Sequence, residues 1–363
     1  MSQKIRIEDI DKNFSLNGVN KTDVEWFEFS DERFSLHGVY YDEGEGLFRR
    51  MPRKISETVN GGVDYLVMNT AGGRLRFSTD SPYVTIKCVE PVGGMMPHMP
   101  FSGSHGFALF EGVRFIKGYI PSIEQLTKDT NGEISFDGVV DFPERKMREL
   151  TLFFPLYHCV KQLYIGLQKG CTLQTAKPYT YQKPVVFYGS SITQGGCAST
   201  PGNDYIGLLS KWLDTDIVNL GFSGNARGEQ TMCDYLADID ASVYVMDYDH
   251  NAPNPEHLEN THYNLYQTLR TKNPNTPIIM MSRPDYYDNA DCNKRRAIVY
   301  DTYQKAKKNG DKLVAFIDGE SFFEIGERNI CTVDGCHPTN AGFFGMAKIV
   351  YPVLKKYLKK YGK

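Results

Sequence analysis

The sequence predicts a two-part α/β chain: an N-terminal β-sandwich, then a three-layer α/β/α domain on a parallel sheet of about five strands. Three observations carry this. The chain has 363 residues, more than the ~250–300 over which one core usually grows. From about residue 20 to 170, short runs alternate apolar and polar residues between turn signals, the period of half-buried strands. After residue 184, apolar strands alternate with longer amphipathic segments, the pattern of a parallel sheet covered on both faces. The expected division is an accessory domain over 1–175 and a second domain over 184–363.

The first half supplies strands at Arg74–Phe77, Tyr83–Cys88, Phe107–Phe110, Arg114–Ile116, Glu149–Phe154 and Gln162–Leu167. Turn residues separate them: Ala71-Gly72-Gly73, Asp80-Ser81-Pro82, Asn131-Gly132 and Asp137-Gly138. Pro91–Ser104, rich in Gly, Pro and Met, reads as a long loop, and 171–184 shows neither period and reads as a linker. The second half supplies strands at Val185–Tyr188, Ile217–Leu220, Val243–Asp247, Ile278–Met281 and Val314–Ile317. Helices are expected at 204–213, 229–237, 256–273, 289–309 and about 340–360.

Composition narrows the function classes. Apolar residues make up 41% and charged residues 23%, which is globular and not disordered. Lys and Arg number 41 against 44 Asp and Glu, a net charge of −3, which argues against a dedicated nucleic-acid binder or an electrostatic membrane anchor. The basic tail of Lys355, Lys356, Lys359, Lys360 and Lys363 reads as a solvated last helix turn facing its own dipole. No apolar run reaches the ~18–20 residues of a bilayer span, and Met1–Asp9 has no apolar signal core. The chain as given reads as cytoplasmic, or as secreted or periplasmic if an export signal was removed. Eight scattered cysteines form no C-x-x-C pair and read as free thiols; Cys331 and Cys336 are close enough to bridge.

In an open parallel sheet, ligands gather at the carboxyl ends of the strands. Gly189-Ser190-Ser191-Ile192-Thr193 follows the first strand and reads either as a projected serine hydroxyl or as a helix N-cap. Asn219-Leu220-Gly221-Phe222-Ser223-Gly224-Asn225 follows the second; its amides suit an oxyanion, and a tight βα turn is the other reading. Asp247–Pro253 follows the third and offers the Asn251 amide, or an Asx-turn. Near the C-terminus, Asp334-Gly335-Cys336-His337 places an acid and an imidazole three residues apart, close enough for the acid to fix the tautomer. His337 before the last helix also reads as a simple cap.

Taken together and in this order, the four blocks resemble those of SGNH hydrolases (GDSL-like lipase/acylhydrolases). Gly189-Ser190-Ser191 is similar to the nucleophile block, Gly224 to the glycine, Asn251 to the asparagine, and Asp334 with His337 to the D-x-x-H block. The resemblance covers about 184–360. It departs at Ser190, where the family usually has aspartate, a form familiar among carbohydrate-esterase-like members, and at Asp249 and Ala252 around His250-Asn251. In the first half, His105-Gly106-Phe107-Ala108-Leu109-Phe110 is similar to the G-x-D-L-Y signature of a β-rich domain that precedes some SGNH domains, departing at Ala108 and Phe110.

The resemblance implies a serine esterase. Ser191 is the expected nucleophile, His337 its base and Asp334 the residue orienting His337; the Ser191 and Gly224 amides and the Asn251 side chain would hold the oxyanion. No cofactor or metal is required. His257 and His262 are five apart, not the i, i+4 of a helical zinc pair, and with His250 they read as surface histidines. The expected partner is a small-molecule or glycan ester, with no nucleic acid and no membrane. The expected reaction removes a short acyl group, acetyl above all, from a carbohydrate. An acyltransferase with the same triad, or an inactive carbohydrate-binding protein, is the alternative. The loop Gln194–Asn203 is expected to line the pocket. Arg283 reads as a surface ion pair or as a contact for an acidic sugar. The first domain is expected to pack near the crevice and narrow it. The sequence does not reveal the oligomeric state.

Overall fold

The computed structural model describes residues 20–122, 125–126, 132–284 and 289–362. Met1–Asp9, Asn131 and Lys363, which entered the reading above, lie outside the described residues.

The first half is a sandwich of two antiparallel sheets. One runs Val24–Glu28, Gln162–Gln168, Tyr83–Pro91, Glu133–Asp141. The other runs Leu173–Gln174, Arg74–Thr79, Arg148–Phe153, Phe107–Glu111, Arg114–Tyr119, with Ser35–His37 also paired to Arg74–Thr79. Side chains alternate across a strand. Leu75, Phe77, Leu150 and Leu152 therefore point inward from one sheet and meet Val84, Ile86, Leu163 and Ile165 from the other in one buried cluster. Asp137-Gly138 is not a turn. It sits inside Glu133–Asp141, where Gly138 pairs with Ile86, and a Cβ there would stand 2.8 Å from the Tyr119 ring. Close packing, not a chain reversal, requires that glycine.

The second half carries the parallel sheet, in the order Thr215–Gly221, Tyr181–Gly189, Val243–Asp247, Ile278–Met281, Val314–Ile317. Its strands are buried on both faces, as their continuous apolar runs require. Val185 and Phe187 face a layer holding Leu209 of helix Tyr205–Leu213 and Phe343 and Val350 of helix Asn340–Tyr361. Val186 and Tyr188 face the other layer, with Met232, Leu258 and Val299 from helices Gln230–Asp238, Pro255–Lys272 and Ala290–Lys308. The anticipated helices and strands are present, with ends moved by a residue or a few.

Further features differ from the sequence reading, among them a short helix, Phe101–Ser104, inside the run read as a long loop. Residues 171–184 are not a plain linker: Leu173–Gln174 joins the sandwich and Tyr181 already begins the central parallel strand. In addition, two helices, Arg53–Val59 and Gly61–Leu66, interrupt the β-rich half. Asn60 caps the second by accepting from the Val63 amide. Met51, Val63, Leu66 and Val67 then share a buried cluster with Met232 and Leu236 of the second half. On the other face, Ala71, Leu156 and Tyr157 join Val185 and Phe187. The two halves thus complete one another's cores, and the sandwich is fixed against the parallel sheet.

All eight cysteines are free thiols. Among the described residues no helix is long and apolar enough to cross a membrane.

Candidate active site

Three strand ends and one loop converge at the C-terminal edge of the parallel sheet. The central strand ends at Gly189. A Cβ there would lie 2.0 Å from Thr193 Oγ1 and 2.4 Å from the Asp247 carbonyl. One at Gly221 would lie 2.2 Å from the Gln194 amide. Only glycine lets these strand ends approach the short helix Ser191–Gln194 so closely.

The two serines divide the two readings of their block. Ser190 is the N-cap, its Oγ accepting from the Ile192 amide at 3.1 Å. Ser191 opens the first turn, and its Oγ lies 2.9 Å from His337 Nε2. The turn is held from below by Asp247, whose carboxylate accepts from Thr193 at 2.8 Å and from Tyr205 at 2.7 Å. Burial pushes the Asp247 carboxyl up to about 6, against the pull of those two donors.

His337 and Asp334 share a tight loop closed by the Thr332–Pro338 bridge. One Asp334 oxygen accepts the backbone amides of His337 at 2.7 Å and Cys336 at 3.0 Å. The other accepts from His337 Nδ1 at 2.7 Å. Partial burial raises the Asp334 carboxyl, but the bonds from the His337 ring and the two amides outweigh it and hold it at about 2. The carboxylate is therefore ionised throughout the ordinary range, and His337 presents Nε2 toward Ser191.

Gly224 has φ +69°, a left-handed conformation that glycine adopts without strain, and its Cβ position faces open space. Asn251 closes the short 3-10 turn Asp249–Asn251 and donates one amide hydrogen to the Phe222 carbonyl at 2.7 Å. That bond ties Asn251 to the loop carrying Gly224 and sets the orientation of its second amide hydrogen.

Sequence reasoning passed over the groups that hold this loop. Buried Gln194 accepts from the Ser223 amide and donates to the Leu156 carbonyl. Asn219 accepts from the Gly221 amide and donates to the Thr193 carbonyl. Arg50, from the first half, donates to the carbonyls of Asn219, Gly221 and Leu66, with its guanidinium 4.6 Å from the Phe222 ring centroid. Burial pushes it down to about 9, so it is still a cation at neutral pH. Tyr157, also from the first half, donates to the Ser191 carbonyl at 3.0 Å. Arg50 and Tyr157 lie far upstream with no local signal, whereas Gln194 stands inside the loop singled out above.

That loop is buried in its first half and tied down in its second. Residues 194–198 are buried, Ser102 donates to the Ser199 carbonyl, and Ser199 bonds Asn340 at the start of the last helix. A cleft of ≈ 610 Å³ is bordered by Tyr65, Met68, Met96, Tyr157, Ser223 and Asn225. His262 is not a surface histidine. It is buried, with Nδ1 2.9 Å from Thr302 Oγ1, and desolvation pushes it down to about 3. His257 lies 2.7 Å from the Arg227 carbonyl. Arg283 stands 3.8 Å from Asp291. A histidine the sequence reading overlooked, His98, has its ring centroid 5.7 Å from that of His337.

Comparison with known proteins agrees with this architecture. Residues 182–355 match the GDSL-like Lipase/Acylhydrolase family, and residues 24–173 match the GxDLY family, the N-terminus of Esterase_SGNH_hydro-type. No curated protein matches the chain. Among solved structures, a candidate GDSL-like lipase from Bacteroides ovatus is 28% identical, with a TM-score of 0.80 over 94% of this chain and 100% of that one. A salicylyl-acyltransferase from a tetracycline biosynthetic pathway, SsfX3, is 18% identical with a TM-score of 0.75, covering 94% and 100%. An acetyl xylan esterase from the rumen bacterium Butyrivibrio proteoclasticus is 16% identical with a TM-score of 0.57, covering 93% and 99%. At such identities the latter two speak to the fold.

Proposed function

Residues 182–355 belong to the GDSL-like lipase/acylhydrolase family, and from that premise we propose that the chain is a serine esterase removing short acyl groups, acetyl above all, from carbohydrate esters. The observation that carries this reading is the hydrogen-bonded series Ser191–His337–Asp334, at 2.9 and 2.7 Å. Ser191 Oγ attacks the ester carbonyl as His337 Nε2 takes its proton, and Asp334 stabilises the imidazolium. The amides of Ser191 and Gly224 and the Asn251 side chain receive the oxyanion. His337 returns the proton to the leaving alcohol, and water then releases the acyl group by the same path. No step requires a metal or a cofactor.

The substrate assignment draws on the surroundings of Ser191. The nucleophile is only 8% exposed, which suits a small acyl group. The cleft bordered by Ser223 and by Tyr157, which bonds the Ser191 carbonyl, is large enough for the alcohol part, and Tyr65 on its border is 65% exposed, offering an aromatic face to a sugar ring. The same residues serve an acyltransferase if an acceptor alcohol displaces water in the cleft. Hydrolysis of nitrophenyl esters of increasing acyl length, with and without sugar acceptors, tests the reading. We expect the highest kcat/KM for acetate and a steep fall by about six carbons. Equal rates across the series would defeat the short-acyl assignment, and a new sugar ester would replace hydrolysis by transfer.

Asn251→Ala is expected to lower kcat by ~10²–10³, the usual cost of one oxyanion donor, with KM changed far less. A variant that raises KM and spares kcat would place Asn251 in ground-state binding instead.

A further inference from the structure

We propose that His98, Asp334 and His337 form a binding site for a divalent transition-metal ion of the zinc class, and that the ion, once bound, shuts off the serine. The ligand atoms of these three residues lie within 4.8 Å of one another. They come from two distant parts of the chain. His98 belongs to the irregular run between Pro91 and Phe101 of the first half, whereas Asp334 and His337 share the loop before the last helix. Acyl transfer uses the Asp334–His337 pair and gives His98 nothing to do, so His98 is the ligand that turns the pair into a site.

Two imidazoles and a carboxylate match a three-ligand zinc set with one position left open. Ligand atoms of a tetrahedral zinc ion stand roughly 3.4 Å apart, given bonds near 2.1 Å. Closing the set therefore asks for movements of about an ångström. His98 is exposed and on a stretch without regular structure, so it is the member best able to move. Coordination competes directly with the chemistry. An ion on His337 or Asp334 displaces either the 2.9 Å contact to Ser191 or the 2.7 Å bond that orients the ring. In both cases His337 no longer accepts the serine proton.

The inhibitory half of this inference rests on the esterase reading; the binding half does not. Zinc chloride and cobalt(II), the latter as a spectroscopic probe, are titrated into the full chain in buffer free of chelators. We expect one ion per chain by calorimetry and the visible absorption of tetrahedral cobalt. Both should weaken more than ~tenfold in His98→Ala. Cys336→Ser serves as the control, because that thiol neighbours His337 and lies 4.0 Å from His250 Nδ1. Binding that survives His98→Ala, or that is lost in Cys336→Ser instead, overturns the site, as does the absence of binding. In parallel, zinc should inhibit nitrophenyl acetate hydrolysis and a chelator should restore it. His98→Ala should keep the metal-free rate and resist zinc by the same factor as its loss of binding. Bound metal without inhibition of an active enzyme would remove the shut-off while leaving the site. A chain that binds metal through His98 but hydrolyses no ester would instead count against the esterase reading.

Discussion

Replacing Ser191 with alanine should lower nitrophenyl acetate turnover on the order of 10⁶-fold while leaving the protein folded. The Oγ makes one bond, to His337, and alanine is well tolerated in a first helical turn. The cap that starts the turn is supplied by Ser190 and remains. Ser190→Ala gives the converse result. It removes the bond to the Ile192 amide and should cost about 1 kcal/mol of stability, read as a lower Tm, with turnover reduced far less. The pair of variants separates two adjacent serines that a sequence motif presents as equivalent. If Ser190→Ala abolished turnover and Ser191→Ala retained it, the nucleophile would be the other serine and the proton path drawn above would fail.

The parts of this site that sequence reading reached share one property: each is set by local chain chemistry. An apolar strand followed by small residues announces a strand-end turn. Asp334 and His337 are three residues apart, so one loop suffices to join them. Strand and helix periods in the second half were legible because both sheet faces are buried and the apolar runs are long. What escaped is non-local. Arg50 reaches the Asn219 and Gly221 carbonyls across 169 and 171 residues of sequence, and Tyr157 meets the Ser191 carbonyl across 34. An arginine after a short strand gives no sign that its guanidinium will be buried against the loop that follows Gly221. The helices Arg53–Val59 and Gly61–Leu66 escaped for a related reason. They are short, two glycines open the second, and their apolar residues make sense only against the helix at Gln230–Asp238. Gly138 shows the reverse error, a residue type read locally as a turn when a distant ring, Tyr119, dictates it.

Asp334→Asn should lower kcat about 10⁴-fold with little change in fold, and the geometry gives the reason. One carboxylate oxygen accepts two backbone amides, from His337 and Cys336, while the other faces His337 Nδ1. An asparagine keeps its single oxygen where the two amides point, because turning over would set its NH₂ against both donors. The NH₂ then faces Nδ1 and donates to it. The ring responds by carrying its own hydrogen on Nε2, the atom that must accept the serine proton, so the base is held in the wrong tautomer. The pH dependence follows from the same contacts. A carboxyl held at about 2, below its ordinary 3.8, favours the folded loop above that ordinary value and loses this contribution as pH falls toward 2. A decline of activity between neutral pH and about 4 therefore arises from some other group than Asp334. Asp334→Asn should therefore lower the plateau and leave such a decline in place, whereas a decline that vanished with the carboxylate would make Asp334 the titrating group. Turnover of Asp334→Asn within about tenfold of the wild type would show that His337 takes its orientation from elsewhere, and the role given to this acid would have to be withdrawn.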